Sequence, residues 1–295
     1  MLMKNNRAET WYKIFRIALG AYLLQHFLAL LPWGTELFSS AGVLPARSLS
    51  PLMHVFPNIF LLSDSPLFVK LFLIAAAIAS AMLIAGKFDR VAAALLWYAW
   101  ACLYGRNPMI ANPSLPFIGW MLLAYAFAEA PESRDGFEGL EETAGSHERP
   151  ANIYVAAWIL MSVAYLYSGY TKLASPSWLD GTALARILEN PLARDTPLRI
   201  LLLGLPPLLL KIATSSALTL ELCFAPLALS SRLRPLLWLT MTSLHIGLLF
   251  LINFADLTAG MLVLHLFTFD PAWLKSCPIS LQPRNLSRVS PGLSP

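Results

Sequence analysis

Eight stretches of 13–21 residues, at 14–31, 67–86, 91–105, 114–128, 151–171, 212–231, 235–253 and 257–269, each carry at most one Asp, Glu, Lys or Arg. A helix of roughly 20 apolar residues crosses about 30 Å of hydrocarbon, and shorter runs suffice when flanking charges reach the headgroups. Hydrophobic residues make up 57% of the 295 positions and charged ones 13%, against about 45–50% and about 25% in soluble domains. Lipid must therefore replace water over much of the surface. The expectation is an all-α polytopic membrane bundle of about eight transmembrane helices, plus a short helix lying at the outer interface. Lys4, Arg7 and Lys13 before the first apolar run resemble a signal peptide, but apolar runs follow along the whole chain and the first is expected to be retained.

Two of the eight spans are weaker. Pro206, Pro207 and Lys211 interrupt the run after Leu198, so 198–210 is expected as a surface or re-entrant helix and 212–231 as the span. The run at 257–269 is short and follows its neighbour through a tight turn at 253–256.

Eight crossings place both termini on one side. That side, counting Arg16, holds 13 of the 21 Lys and Arg residues, which by the positive-inside rule makes it cytoplasmic. The spans and their connections form one transmembrane domain over 1–270. Its one sizeable cytoplasmic loop, 129–149, has seven acids against two arginines and is expected to be a flexible linker. Residues 271–295 form a Pro/Ser-rich basic tail, where Lys275, Arg284 and Arg288 supply three of the net +4 charges. A basic excess so local excludes nucleic acid as a partner; the expected partner is membrane lipid. Cys102, Cys223 and Cys277 form no CxxC pair, so no thiolate metal site is expected.

Chemistry is sought where ionisable groups lie in or beside the membrane, because such groups are costly there. Five stand out: Arg16, Arg106, Lys172, Glu221 and His245. Glu221 and His245 lie mid-span and can meet if neighbouring helices run antiparallel, whether as a functional pair or as a hydrogen-bonded pair that fixes helix register. Trp158, Ser162, Tyr165, Gly169 and Lys172 recur at four- and three-residue intervals and make one polar, small-residue stripe on a helix. Lys172 ends the stripe, as an interfacial anchor or as a functional amine. Arg16 suits a positive-inside anchor, and Arg106 suits either a substrate contact or a tie to the 107–116 loop. Beyond Lys172, Asp180 can cap a short helix in which Leu184, Ile187 and Leu188 follow helical spacing and which Asn190-Pro191 stops. That helix is expected on the outer membrane surface, roofing the site.

Tyr167-Ser168-Gly169-Tyr170-Thr171-Lys172-Leu173, followed by Trp178-Leu179-Asp180-Gly181-Thr182-Ala183-Leu184, resembles the signature of the HTTM family, the membrane domain shared with vitamin K-dependent γ-glutamyl carboxylase. The stretch from Arg16 to Gly20, Gly42-Val43-Leu44-Pro45, Glu221 and Ser243-Leu244-His245 resemble further parts of that domain, over essentially the whole chain. The resemblance implies Lys172 as a base toward a reduced quinone, with Glu221 and His245 as the other catalytic candidates and Arg106, Tyr165 and Trp178 as substrate contacts. Burial favours the neutral amine that such a base requires. The chain departs from the carboxylase where Pro113 takes the place of a histidine, where Thr171 precedes Lys172 in place of a lysine, and in its short tail. Two readings follow: an enzyme acting at the outer leaflet on a quinone-like or polypeptide substrate, or a non-catalytic helper in maturation or export of a secreted peptide, like HTTM proteins linked to sporulation-delaying toxin processing. Transport would favour two related halves, and no internal repeat is visible.

Overall fold

The computed structural model describes residues 2–127 and 151–275; the expected linker at 129–149 and most of the tail lie outside them. Among the described residues the chain is helical, with one isolated β-bridge and no strand. The helices are α1 (Leu2–Leu30), α2 (Gly34–Phe38), α3 (Pro66–Ala85), α4 (Asp89–Arg106), α5 (Leu115–Phe127), α6 (Ala151–Lys172), α7 (Pro176–Leu179), α8 (Ala183–Glu189), α9 (Pro197–Leu203), α10 (Pro207–Ala228), α11 (Arg234–Leu251) and α12 (Ala255–Thr268). Five are long and apolar enough to cross a membrane: α3, α10, α11, Thr10–Leu30 of α1 and Asn152–Lys172 of α6. The helix α4 is 18 residues long but has Asp89, Arg90 and Arg106 at its ends, and α5 and α12 are apolar but shorter.

The long helices turn their apolar side chains outward. On α6, Val155, Ile159, Val163, Leu166 and Tyr170 form an exposed stripe, while Ala157, Trp158, Met161 and Tyr165 are buried. Only 22–39% of each of the five spans is buried. Exposed apolar surface on that scale is stable only against lipid.

Sequence punctuation sets the helix ends. Ser65 caps α3 by accepting from Phe68 N at 3.3 Å, Pro66 starts the helix, and Gly86 stops it with a left-handed φ of 72°. A β-carbon on Gly86 would strike the Arg16 guanidinium, which donates to Leu83 O at 2.9 Å. Arg16 therefore caps the C-terminus of α3, where a positive charge also meets the negative end of the helix dipole. The prolines correct one expected boundary. Residues 198–210 are not one helix, because Pro206 disfavours a helical Leu205 and Pro207 is suited to a first turn. The chain instead forms the short α9, breaks at Gly204–Pro206, and starts α10 at Pro207, so that Lys211 lies inside the long helix.

Packing joins two groups of helices. α1, α3, α4 and α5 follow one another in contact, α6 packs on α10, and α12 bridges the groups by touching α1, α5, α6 and α11. One connected core runs through both groups, from Phe15, Leu19 and Phe27 on α1 to Met161 on α6 and Phe224 on α10.

Arg106 corrects the sequence expectation differently. It is fully buried at the end of α4, and it donates to Ser39 O at 3.2 Å, Leu44 O at 2.6 Å and Asp64 Oδ2 at 3.3 Å. It thus ties down the 39–64 segment rather than 107–116. Ser50 and Asn58 add hydrogen bonds from that segment to Gly105 O and Cys102 O at 2.6 and 3.0 Å. Asp64 also accepts from Arg47 at 3.0 Å, and that bond, with the charge of Arg106 beside it, holds the Asp64 carboxyl below its ordinary range. A depressed carboxyl contributes stability that is complete above the unfolded value, about pH 4, and is lost as pH falls through the lower folded value. Thermal unfolding of the solubilised protein should therefore show stability falling on acidification below about pH 4. Asp64→Asn, by leaving the buried guanidinium without its carboxylate, should cost about 3 kcal/mol at pH 7 and flatten that dependence. An unchanged acid limb in the variant would refute the role given to Asp64.

Candidate functional site

The stripe on α6 faces α10 because Gly169 lets the two backbones approach. A β-carbon at Gly169 would sit 3.0 Å from Leu222 N and from the Leu222 side chain. That approach delivers Glu221 to Lys172, with Nζ and Oε2 2.6 Å apart. Lys172 Nζ also donates to Ser168 Oγ at 2.6 Å, one turn back on the same helix, and lies 5.0 Å from the centre of the Trp178 ring. The ammonium is thus held between a carboxylate, a hydroxyl and an aromatic face, at the end of α6 where the helix dipole favours a cation.

A second triad lies deeper. The Tyr165 hydroxyl is 2.9 Å from His245 Nε2 and 2.6 Å from His265 Nε2, and its ring packs 4.7 Å from that of Phe224. Glu221 and His245 are therefore not partners of one another. Each is taken by a residue of α6, Glu221 by Lys172 and His245 by Tyr165, because α6 supplies the polar stripe that both helices face. Five of the six candidates gather here: Lys172, Glu221 and Trp178 in the upper group, Tyr165 and His245 in the lower. Arg106 does not join them, since all its partners belong to the 39–64 segment.

The connection after α6 covers the upper group. Gly181, at φ 80°, brings the chain against Lys211 of α10, and Leu184 N donates to Thr214 Oγ1 at 3.1 Å. Leu188 is buried with Leu210 and Leu251. Beyond α8 the chain is tied to the end of α11 by the Ala193–Ile252 bridge and by Asn253 N donating to Leu192 O at 2.7 Å. The expected short helix exists and ends at Asn190, but Asp180 does not cap it. Asp180 Oδ1 instead accepts from Thr182 N and Oγ1, at 2.8 and 2.6 Å, and so shapes the preceding turn. Those two bonds hold its carboxyl below the usual range.

Sequence reasoning missed two things. His265 lies wholly buried in α12 and completes the lower triad; the signal was present, since any histidine inside an apolar run is a candidate. Asp256 organises a separate cluster, accepting from Tyr22 OH at 2.9 Å and Asn112 Nδ2 at 2.6 Å and pairing with His26 Nδ1 at 2.7 Å. Asn112 is held in turn by Ser114, whose N and Oγ reach its Oδ1 at 2.9 and 2.6 Å. Beside this cluster, a cavity of about 440 Å³ opens between α4 and α5, lined by Asn112 and by Trp97, Trp100, Tyr104 and Trp120. None of the Lys172 group lines it, and the Lys172 group carries the richer proton chemistry. Among the described residues, no three His, Cys, Asp or Glu side chains converge as metal ligands.

The ion pair can be weighed by substitution. Removing one partner of a largely buried pair leaves the other uncompensated, at about 3 kcal/mol, whereas replacing both with apolar side chains is often close to neutral. Glu221→Leu and Lys172→Met should each lower the unfolding temperature, and the double variant should recover most of the loss. Additive losses would show that the two side chains act independently. The chain matches no protein-family model, no curated protein and no solved structure, so the chemistry of the site rests on its own side chains.

Proposed function

We propose that this is an eight-span protein of a bacterial inner membrane, with both termini cytoplasmic. Its outer-leaflet site, centred on Lys172, exchanges a proton with a lipid-soluble, quinone-like or secreted polypeptide substrate. The topology is supported by the positive-inside count, by the shorter apolar helices α5 and α12, and by α4, whose charged residues lie only at its ends. Reporter fusions at Gly145 and Ser175 test it. A reporter active only after export should work at Ser175 and fail at Gly145, and activity at Gly145 would overturn the arrangement.

The carrying observation is the 2.6 Å contact of Lys172 Nζ with Glu221 Oε2 beside the Trp178 ring. Ammonium with carboxylate and amine with carboxylic acid have the same total charge, so a proton can pass between them without leaving net charge in the membrane. In the second arrangement Lys172 offers a lone pair as a general base. The aromatic face beside it suits a flat ring, which accords with the resemblance to HTTM proteins and with a reduced quinone as co-substrate. When bound, such a hydroquinone supplies an acidic hydroxyl and reducing electrons. Lys172 would take the hydroxyl proton, Glu221 would hold the amine in place, and Trp178 would orient the ring.

A second reading, the non-catalytic helper in maturation or export of a secreted peptide, is favoured by one observation. The ammonium of Lys172 is fully engaged by Ser168, Glu221 and Trp178, as in a clip between α6 and α10. Lys172→Arg separates the two. Arginine keeps the clip, but its guanidinium stays protonated and cannot act as a base. Membranes containing each variant are supplied with a reduced naphthoquinone, and its consumption is followed by absorbance; maturation of a co-expressed secreted peptide is followed by mass spectrometry. Lys172→Arg should insert and unfold like the parent yet lose activity by about 100-fold or more. Full activity would assign the helper role.

A further inference from the structure

Buried polar atoms without a protein partner are rare, and each is costly unless water or a ligand meets it. Among the described residues six buried side-chain atoms have none: two on Arg106, and His245 Nδ1, His265 Nδ1, Thr242 Oγ1 and Trp158 Nε1. The last four lie on α6, α11 and α12, and two of them, His245 Nδ1 and His265 Nδ1, belong to the rings that meet the Tyr165 hydroxyl. Thr242 is one turn from His245, and Trp158 is two turns, about 10 Å, from Tyr165, both toward the Arg234 end of the bundle. Trp158, His245 and His265 are each more than nine-tenths buried. The guanidinium of Arg234 lies 5.4 Å from the centre of the Trp158 ring and closes that end.

The hydrogen-bond count around Tyr165 defines what the unpaired atoms need. Its hydroxyl has one proton, yet it touches two Nε2 atoms, so it donates to one imidazole and accepts from the other. With both rings neutral, the ring that donates through Nε2 has a bare Nδ1, and the ring that accepts at Nε2 has an Nδ1–H. One unpaired histidine atom therefore requires a donor and the other an acceptor. Trp158 Nε1–H requires an acceptor, and Thr242 Oγ1 can supply either. Water is the small guest that is donor and acceptor at once.

We propose that the interior between α6, α11 and α12 is an internal-water site that serves the Lys172–Glu221 pair as a reversible proton relay. A proton reaching the bare Nδ1 releases that ring's Nε2 proton to the Tyr165 oxygen. The hydroxyl's own proton passes to the second ring's Nε2, and the second ring gives its Nδ1 proton to water. No charge stays behind, and the rings have exchanged tautomers, which sets the relay to carry the next proton back. The charged and titratable groups facing this interior are Lys172 and Glu221 above, Tyr165 and the two histidines within, and Arg234 below. The relay rests on the reading of Lys172 as a proton-exchanging group.

Two measurements on the full chain in bilayers test it. In radiolytic hydroxyl-radical footprinting, Phe224, which stacks on Trp158 and lies 4.7 Å from the Tyr165 ring, should be oxidised several-fold more than Phe27, although both have no exposed surface. Equal oxidation would overturn the water site. Nitrogen-15 NMR of labelled histidine, with resonances assigned by replacing each of the two in turn, should place His245 and His265 in opposite neutral tautomers. Tyr165→Phe should release that constraint while Phe224 stays reactive. Identical tautomers in the parent protein would overturn the relay. A Lys172→Arg variant that kept full activity would remove the chemistry the relay serves without altering either measurement, so the two failures are distinguishable.

Discussion

A polypeptide in hydrocarbon has no water to bond, so every polar group must find its partner inside the protein. This requirement organises the molecule more than apolar packing does, because lipid solvates a leucine as well as a neighbouring helix does. The outward stripes of α6 and α3 follow from it, and so does the gathering of polar side chains into a few knots. Arg106 with Asp64 and Arg47 fastens the 39–64 segment to α4. Asp256 with Tyr22, His26 and Asn112 joins α12 to α1 and to the segment before α5. Lys172 with Glu221, and Tyr165 with the two histidines, join α6 to α10, α11 and α12. Each knot links elements distant in sequence and fixes their relative depth.

The three knots differ in what they can do besides hold. Arg106 is wholly enclosed, and its bonds go to backbone carbonyls and to a carboxylate already bound by a second arginine, an arrangement that resists change. Asp256 accepts three hydrogen bonds and so is held as a carboxylate. The Lys172–Glu221 pair joins one acid and one aliphatic amine at hydrogen-bond distance, with a hydroxyl and an aromatic ring beside them. A proton can move within it at no cost in net charge, which is the property a proton-transfer site in a low dielectric needs.

The helical architecture and the α6 stripe were legible in the sequence because both rest on local periodicity. Charge-free runs matched most helix ends to within a few residues, although α1 starts at Leu2 rather than Ile14, and four- and three-residue spacing placed Trp158, Tyr165, Gly169 and Lys172 on one face. Partner choice was not legible. Glu221 and His245 both lie mid-span in the sequence, which made a mutual pair reasonable, but α6 presents Lys172 to Glu221 of α10 and Tyr165 to His245 of α11. Arg106 was misassigned for a related reason. Its partners are carbonyls of residues 39 and 44, and a backbone carbonyl carries no signal in a sequence. Asp180 had the composition of a cap, yet the helix starts two residues later, with Thr182 at its N-cap position.

Why Gly169 rather than another small residue should sit at the centre of the stripe follows from the distances. The Leu222 backbone N would lie 3.0 Å from a β-carbon there, tighter than ordinary van der Waals contact, and α10 would have to retreat. A retreat of a few tenths of an ångström already lengthens the 2.6 Å contact between Lys172 and Glu221 toward the distance of about 3.2 Å beyond which a hydrogen bond weakens. The same helix pair carries Phe224 against Tyr165, so the spacing that sets the ion pair also sets that ring contact. One glycine without a side chain thus governs the approach of α6 and α10 that brings Lys172 and Glu221 together. Chemistry at Lys172 and packing at Gly169 are on these distances a single structural property.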